Sequence, residues 1–167
     1  VLTLVHTGNL TNGRQNTMLA FFKFLSANIN RFDNKSIEVT NIGYVNKRVA
    51  RILSRVSSKI TFKTLDRVPT MESLSEILNY HACIHVCSQN TPFALSTKVF
   101  EYIGLHRPIL SINYGGEITN LLEPYSNTFL INFRYRQSSE TFDKLIGFLE
   151  VCHGKNSNIQ NYDYQNI

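Results

Sequence analysis

Apolar runs of strand length alternate with stretches of helical periodicity along nearly the whole chain. Leu2 to His6 reads as a buried strand, and Asn16 to Ala27 as a helix with Met18, Leu19, Phe22 and Leu25 on one side. The alternation continues with a strand at Ile37 to Val45 and a helix at Lys47 to Val56, whose Val49, Ile52, Leu53 and Val56 are expected to point inward. Lys59 to Leu65 is a third strand. Met71 to Tyr80 is a third helix, with Thr70 in the position of an N-cap. Cys83 to Cys87, Pro108 to Asn113 and Thr128 to Phe133 complete six strands. Ser96 to Leu105, Ile118 to Leu122 and Ser139 to Cys152 are the remaining helices.

Strands and helices that alternate with short connections imply a parallel sheet covered on both faces, because each crossover lays a helix against the sheet. The expected fold class is therefore α/β: a Rossmann-like, three-layer α/β/α domain on a six-stranded parallel sheet, spanning residues 1–154. Such sheets bind ligands beyond the carboxyl ends of their strands, where the strand order reverses. The loops after the first and fourth strands are expected to meet there. Residues 155–167 are polar and Asn-rich and read as a tail. The chain begins with Val and enters a strand at once, so it is expected to be a piece of something longer.

A chain of 167 residues with 43% hydrophobic content can bury a full single-domain core. No apolar run approaches the ~20 residues of a membrane span, and no secretory leader pattern is present. The net charge of +5 suits an anionic ligand, an anionic membrane surface, or no particular partner. The basic residues do not interleave with aromatics in a nucleic-acid-binding signature, so no nucleic acid partner is expected. Three cysteines (Cys83, Cys87, Cys152) without a CxxC pair point to a reducing, cytoplasmic setting.

The chemistry concentrates in Ser96-Thr97-Lys98-Val99-Phe100-Glu101-Tyr102-Ile103-Gly104, followed by Arg107-Pro108-Ile109-Leu110. One helical turn there offers free backbone donors, a cation and a carboxylate. A nucleoside diphosphate can use all three, with phosphates at the positive helix end and sugar hydroxyls at the acid. The plainer reading of Lys98 and Glu101 is a surface ion pair worth a few tenths of a kcal/mol. The Gly8 to Arg14 loop has neither P-loop nor GxGxxG spacing, which disfavours a generic ATP or dinucleotide site. His81, Cys83, His85 and Cys87 alternate along one strand. Ligands two apart lie ~6.6 Å apart along the axis and cannot close a tetrahedron, so no metal is expected. Arg48, Arg51 and Arg55 line one helix face, read either as a solvated surface or as a contact for anionic lipid. Phe21, Phe22 and Phe24 read as core.

The Lys98 segment resembles the donor-binding motif of GT-B glycosyltransferases of the family 4 type, in which a serine-rich loop precedes Lys, Phe-Glu-Tyr, Gly and a Pro-led strand. His6-Thr7-Gly8-Asn9-Leu10 with Arg14 resembles the glycine loop and basic residue of the same family, and Ile42-Gly43 the glycine that closes its second strand. The resemblance runs from residue 1 to about Glu150. It implies that Gly8, Arg14, Ser96, Thr97 and Lys98 bind the donor phosphates and that Glu101 accepts from the ribose, with the Asp66 to Pro69 turn near the base. It further implies a UDP-, GDP- or dTDP-sugar donor, no cofactor or metal, and a retaining transferase that passes a sugar to a glycan or lipid-linked acceptor in polysaccharide, capsule or lipopolysaccharide biosynthesis, of which these residues alone would be inactive. That enzyme would work in the cytoplasm or at the inner face of the membrane. Its acceptor would sit on a separate N-terminal domain absent from these residues, to which the tail would cross back. Phe93 departs from the pattern, because it stands eight positions before Glu101 where the family often has a second glutamate. A non-catalytic regulatory module of the same fold, and a sugar-nucleotide epimerase of GT-B shape, are the alternatives.

Overall fold

The computed structural model describes residues 1–159, with side chains described through residue 155. Its strands are β1 (Leu2–Thr7), β2 (Ile37–Ile42), β3 (Ile60–Leu65), β4 (Ala82–Val86), β5 (Ile109–Asn113) and β6 (Thr128–Asn132). They form one sheet in the order β3-β2-β1-β4-β5-β6, and every neighbouring pair is parallel. The order reverses between β1 and β4, which opens a crevice beyond the carboxyl ends of those two strands.

The helices are α1 (Arg14–Asn28), α2 (Lys47–Leu53), α3 (Thr70–Ile77), α4 (Thr97–Gly104), α5 (Glu117–Leu122) and α6 (Ser139–Ile159). Two cores separate them into layers. Leu4, Ile84 and Leu110 point to a face shared with Met18, Phe21, Phe22 and Leu25 of α1, Leu53 of α2, and Phe142, Leu145 and Leu149 of α6. Their chain neighbours Val5, Cys83 and Ile109 point the other way, to Ile77 of α3, Val99 and Tyr102 of α4, and Ile118 and Leu122 of α5. Adjacent strand residues on opposite faces, both buried, are the signature of a sheet covered on both sides. The phenylalanines lock the first layer edge to face: Phe22 against Phe62 at 5.7 Å and Phe24 against Phe142 at 6.1 Å.

Four local expectations are corrected. Arg14 is the first residue of α1 rather than part of the preceding loop. The second helix stops at Leu53, and Ile52 faces solvent at 45% exposure, since the short helix presents only Leu53 fully to the core. Thr70 is the first residue of α3, whose cap position is Pro69, and no side chain caps it. The last helix does not end at Cys152 but continues through Ile159, so the first residues of the expected tail are helical. Contacts hold that extension: the His153 ring lies 4.7 Å from that of His81, and Lys155 Nζ donates to Asn127 Oδ1 at 3.3 Å. Residues 160–167 of the expected tail lie outside the described residues.

Arg48, Arg51 and Arg55 are all exposed. Among the described residues, no helix is long and apolar enough to cross a membrane.

Candidate functional site

The crevice at the β1/β4 reversal is built by two loops and two helix starts. After β1 the chain runs on beside the loop after β2. Gly8 N donates to Ile42 O at 2.9 Å and Leu10 N to Tyr44 O at 2.9 Å, with a further parallel bridge between Leu10 and Val45. This pairing fixes the backbone of Gly8 above the sheet edge. A Cβ on Gly8 would meet only His6 Cε1, at 3.8 Å, and would otherwise stand in the crevice.

Two adjoining chambers share Thr7, Gly8, Asn9 and Lys98 as their common wall. The first, of about 100 Å³, is completed by His6, Arg14, His85 and Ser96 among others. The second, of about 190 Å³, adds Ile42, Gly43, Arg67, Val68, Thr70 and Ser73. The fold thus brings Gly8, Arg14, Ser96 and Lys98 to one cavity. Thr97 does not line either chamber and is exposed at the start of α4. Glu101 reaches the site through Lys98, whose Nζ donates to both carboxylate oxygens at 3.0 and 2.9 Å. The Asp66 to Pro69 turn contributes Arg67 and Val68 to the second chamber.

Helix α4 is aimed at the first chamber by its cap. Ser96 has extended backbone geometry, and its Oγ accepts from Lys98 N at 3.2 Å. That bond takes up one first-turn donor and leaves the positive end of the helix dipole beside Lys98. One turn further on, the buried Tyr102 ties the helix to β1. Its Oη accepts from Thr7 N at 3.1 Å and lies 2.8 Å from Thr7 Oγ1. Burial pushes its phenol well above the ordinary range, so it stays a neutral hydrogen-bonding group. Tyr102→Phe would strand the buried Thr7 amide, at a cost of about 1–3 kcal/mol. We expect that loss in urea unfolding; an unchanged midpoint would mean that Tyr102 does not anchor the helix.

Sequence reading assigned no role to the polar groups under this cavity. His6 and Asn41 are register partners on β1 and β2, and His6 Nδ1 lies 2.6 Å from Asn41 Oδ1. Asn41 Nδ2 in turn donates to Gly43 O at 2.9 Å. On the other side, His85 Nδ1 lies 3.2 Å from Ser111 Oγ, which accepts from Asn113 Nδ2 at 3.2 Å. Burial, with the nearby Arg14 cation, pushes His6 down to about 4 and His85 down to about 3. Both imidazoles are neutral near pH 7, and Arg14 and Lys98 supply the positive charge. The signal for this pair was the register of β1 on β2, which no single segment displays.

No protein-family model matches the sequence, and no curated protein matches it. Solved structures do share its architecture. TarM aligns with a TM-score of 0.56 at 13% identity over 96% of this chain and 32% of its own. The pneumococcal O-GlcNAc transferase GtfA, solved with UDP and GlcNAc, gives 0.51 at 13% identity over 95% of this chain and 29% of its own. The UDP-GlcNAc 2-epimerase of Methanocaldococcus jannaschii gives 0.50 at 15% identity over 87% of this chain and 38% of its own. The fold is that of one half of a GT-B structure. This chain spans about a third of the length of each of these three proteins. At such identities the likeness is one of fold, and the chemistry of the crevice has to be argued from its own residues.

Proposed function

We propose that this chain is the nucleotide-sugar-binding half of a glycosyltransferase, with the donor lying across the two chambers of the β1/β4 crevice. The observation that carries this reading is the convergence of Arg14, at the start of α1, and Lys98, at the start of α4, on one cavity beside Gly8. The diphosphate occupies the first chamber, against both cations and the α4 N-terminus. The nucleoside extends into the second, with the base near Arg67 and Val68 and the ribose within reach of Glu101. Negative charge grows on the departing diphosphate during sugar transfer. Preorganised cations and helix amides there stabilise the transition state more than the ground state. The acceptor and its class, a glycan or a lipid-linked chain, belong to a part of the enzyme outside this fold unit.

Calorimetry of this chain with UDP, GDP and dTDP tests the reading. We expect one of them to bind, and Arg14→Ala to weaken that binding about 10- to 100-fold, the worth of one charge-assisted contact. Absence of binding by all three, or indifference to Arg14→Ala, would sink the assignment. The likeness to a UDP-GlcNAc 2-epimerase favours a second reading in which the same crevice holds a donor that is converted rather than transferred. Turnover of a UDP-sugar without any acceptor, by the protein of which this chain is part, would decide for it.

A further inference from the structure

Of the two histidines beneath the first chamber, His6 has its tautomer set by its neighbours. Asn41 Nδ2 is committed to Gly43 O, so its Oδ1 faces His6 and Nδ1 of His6 must carry the hydrogen. The neutral ring then has a bare lone pair on Nε2. Gly115 N donates to Asn113 Oδ1 at 2.9 Å, which turns Asn113 Nδ2 toward Ser111 Oγ. On β4, His85 Nδ1 lies 3.2 Å from Ser111 Oγ, a hydroxyl that can donate to the ring or accept from it, and Cys87 Sγ lies 4.0 Å from both ring nitrogens. The chamber floor therefore offers the lone pair of His6 Nε2, in a cavity that also carries the Arg14 and Lys98 cations and the hydroxyl residues Thr7 and Ser96.

A lone pair is the wrong group to meet an anion. His6 is only 5% exposed, lines the chamber, and has its Cε1 edge toward Gly8, with no partner for Nε2 among the described residues. We propose that His6 is a phosphate-binding residue of this crevice that takes up one proton from solvent as the anion enters, so that Nε2–H donates to a phosphate oxygen while Nδ1–H stays on Asn41. This rests on the nucleotide reading of the crevice. The groups around the imidazole fit one such proton. Asn41 on β2 accepts from the ring in either state. Arg14 on α1 opposes protonation of the ring, His85 on β4 stays neutral, and the Lys98 cation on α4 is balanced by Glu101. A bound diphosphate reverses the sign of the local field.

Burial pushes His6 down to about 4, and an adjacent diphosphate raises that value. Between those two values binding consumes a proton, and affinity falls as pH rises, by at most about tenfold per pH unit for one proton.

The test is calorimetry near pH 6 in two buffers of different ionisation enthalpy, with UDP-glucose, GDP-mannose, dTDP-glucose and sulfate as probes, none of which titrates near neutral pH. We expect uptake of up to one proton per bound probe, reduced to zero in His6→Gln. Imidazole nitrogen NMR of the unaltered protein should show His6 passing from the Nδ1–H tautomer to imidazolium on binding, a readout that needs no variant to fold. Binding without proton uptake would overturn the role of His6 and leave the nucleotide reading standing. Proton-coupled binding of sulfate alone would keep His6 and remove the nucleotide. No binding of any probe would remove both.

Discussion

Replacing Gly43 by alanine should unfold this domain more readily than any other single-methyl change at the crevice. Gly43 closes β2 with φ at 137°, in the region that side chains rarely adopt. A Cβ there would stand 2.5 Å from Gly8 O and 2.8 Å from Gly8 C, both backbone atoms that cannot swing aside. The strained φ and the overlap together cost about 3 kcal/mol or more. For a domain of this size each kcal/mol lowers Tm by about 2–4 °C, so we expect a fall of roughly 10 °C by differential scanning calorimetry. The bonds Gly8 N to Ile42 O and Gly43 N to Leu65 O continue the β1-β2-β3 ladder into the crevice. Any displacement of Gly8 therefore also removes a wall shared by both chambers. Gly147→Ala is the control. It lies exposed within α6, and its added methyl would meet nothing within 4 Å, so stability should hold or rise by about 0.5–1 kcal/mol. Equal melting temperatures for the Gly43 and Gly147 variants would mean that the loop backbone yields without cost.

The architecture was legible because its signals are local and repeated. Each strand is an apolar run such as Ala82 to Val86, each crossover contains a helical stripe, and parallel order follows from the connections. The Lys98/Glu101 pair was equally legible, since cation and acid lie within one helical turn, whereas Ser96, expected as the first helical residue, is the cap that precedes it. What escaped depends on partners distant in sequence. Nothing in the segment around His6 reveals that Asn41 lies opposite it, because that pairing exists only once β1 and β2 are in register. The role of Tyr102 was hidden in the same way, since it is defined by Thr7 on another strand. Helix ends slipped where tertiary contacts outweigh propensity. The last helix outruns its polar sequence because His153 and Lys155 find partners on the sheet's lower edge, whereas Ile52 is apolar but has no core to enter.

Lys98 and Glu101 should part company when tested with two ligands rather than one. The Lys98 ammonium bonds both carboxylate oxygens of Glu101, with side chains 31% and 27% exposed, so the main cation of α4 is neutralised by its own helix. A nucleoside diphosphate can exchange that pair for two others, phosphate on Lys98 and ribose hydroxyls on Glu101. Inorganic pyrophosphate can take only the first and leaves a carboxylate facing an anion. Lys98→Ala should therefore weaken both ligands, by about 10- to 100-fold for one charge-assisted contact. Glu101→Ala should weaken the nucleoside diphosphate yet strengthen pyrophosphate. The gain is a fewfold, because a partly exposed pair of this kind is worth less than about 1 kcal/mol. Competition calorimetry with the nucleotide that binds and with pyrophosphate reads the two changes in one protein. Opposite signs for the two ligands make Glu101 the group by which the crevice prefers a nucleoside to a bare phosphate. Equal changes for both ligands in Glu101→Ala would reduce it to a surface ion-pair partner, and the ribose would have to be held by the groups around Arg67 and Thr70 instead.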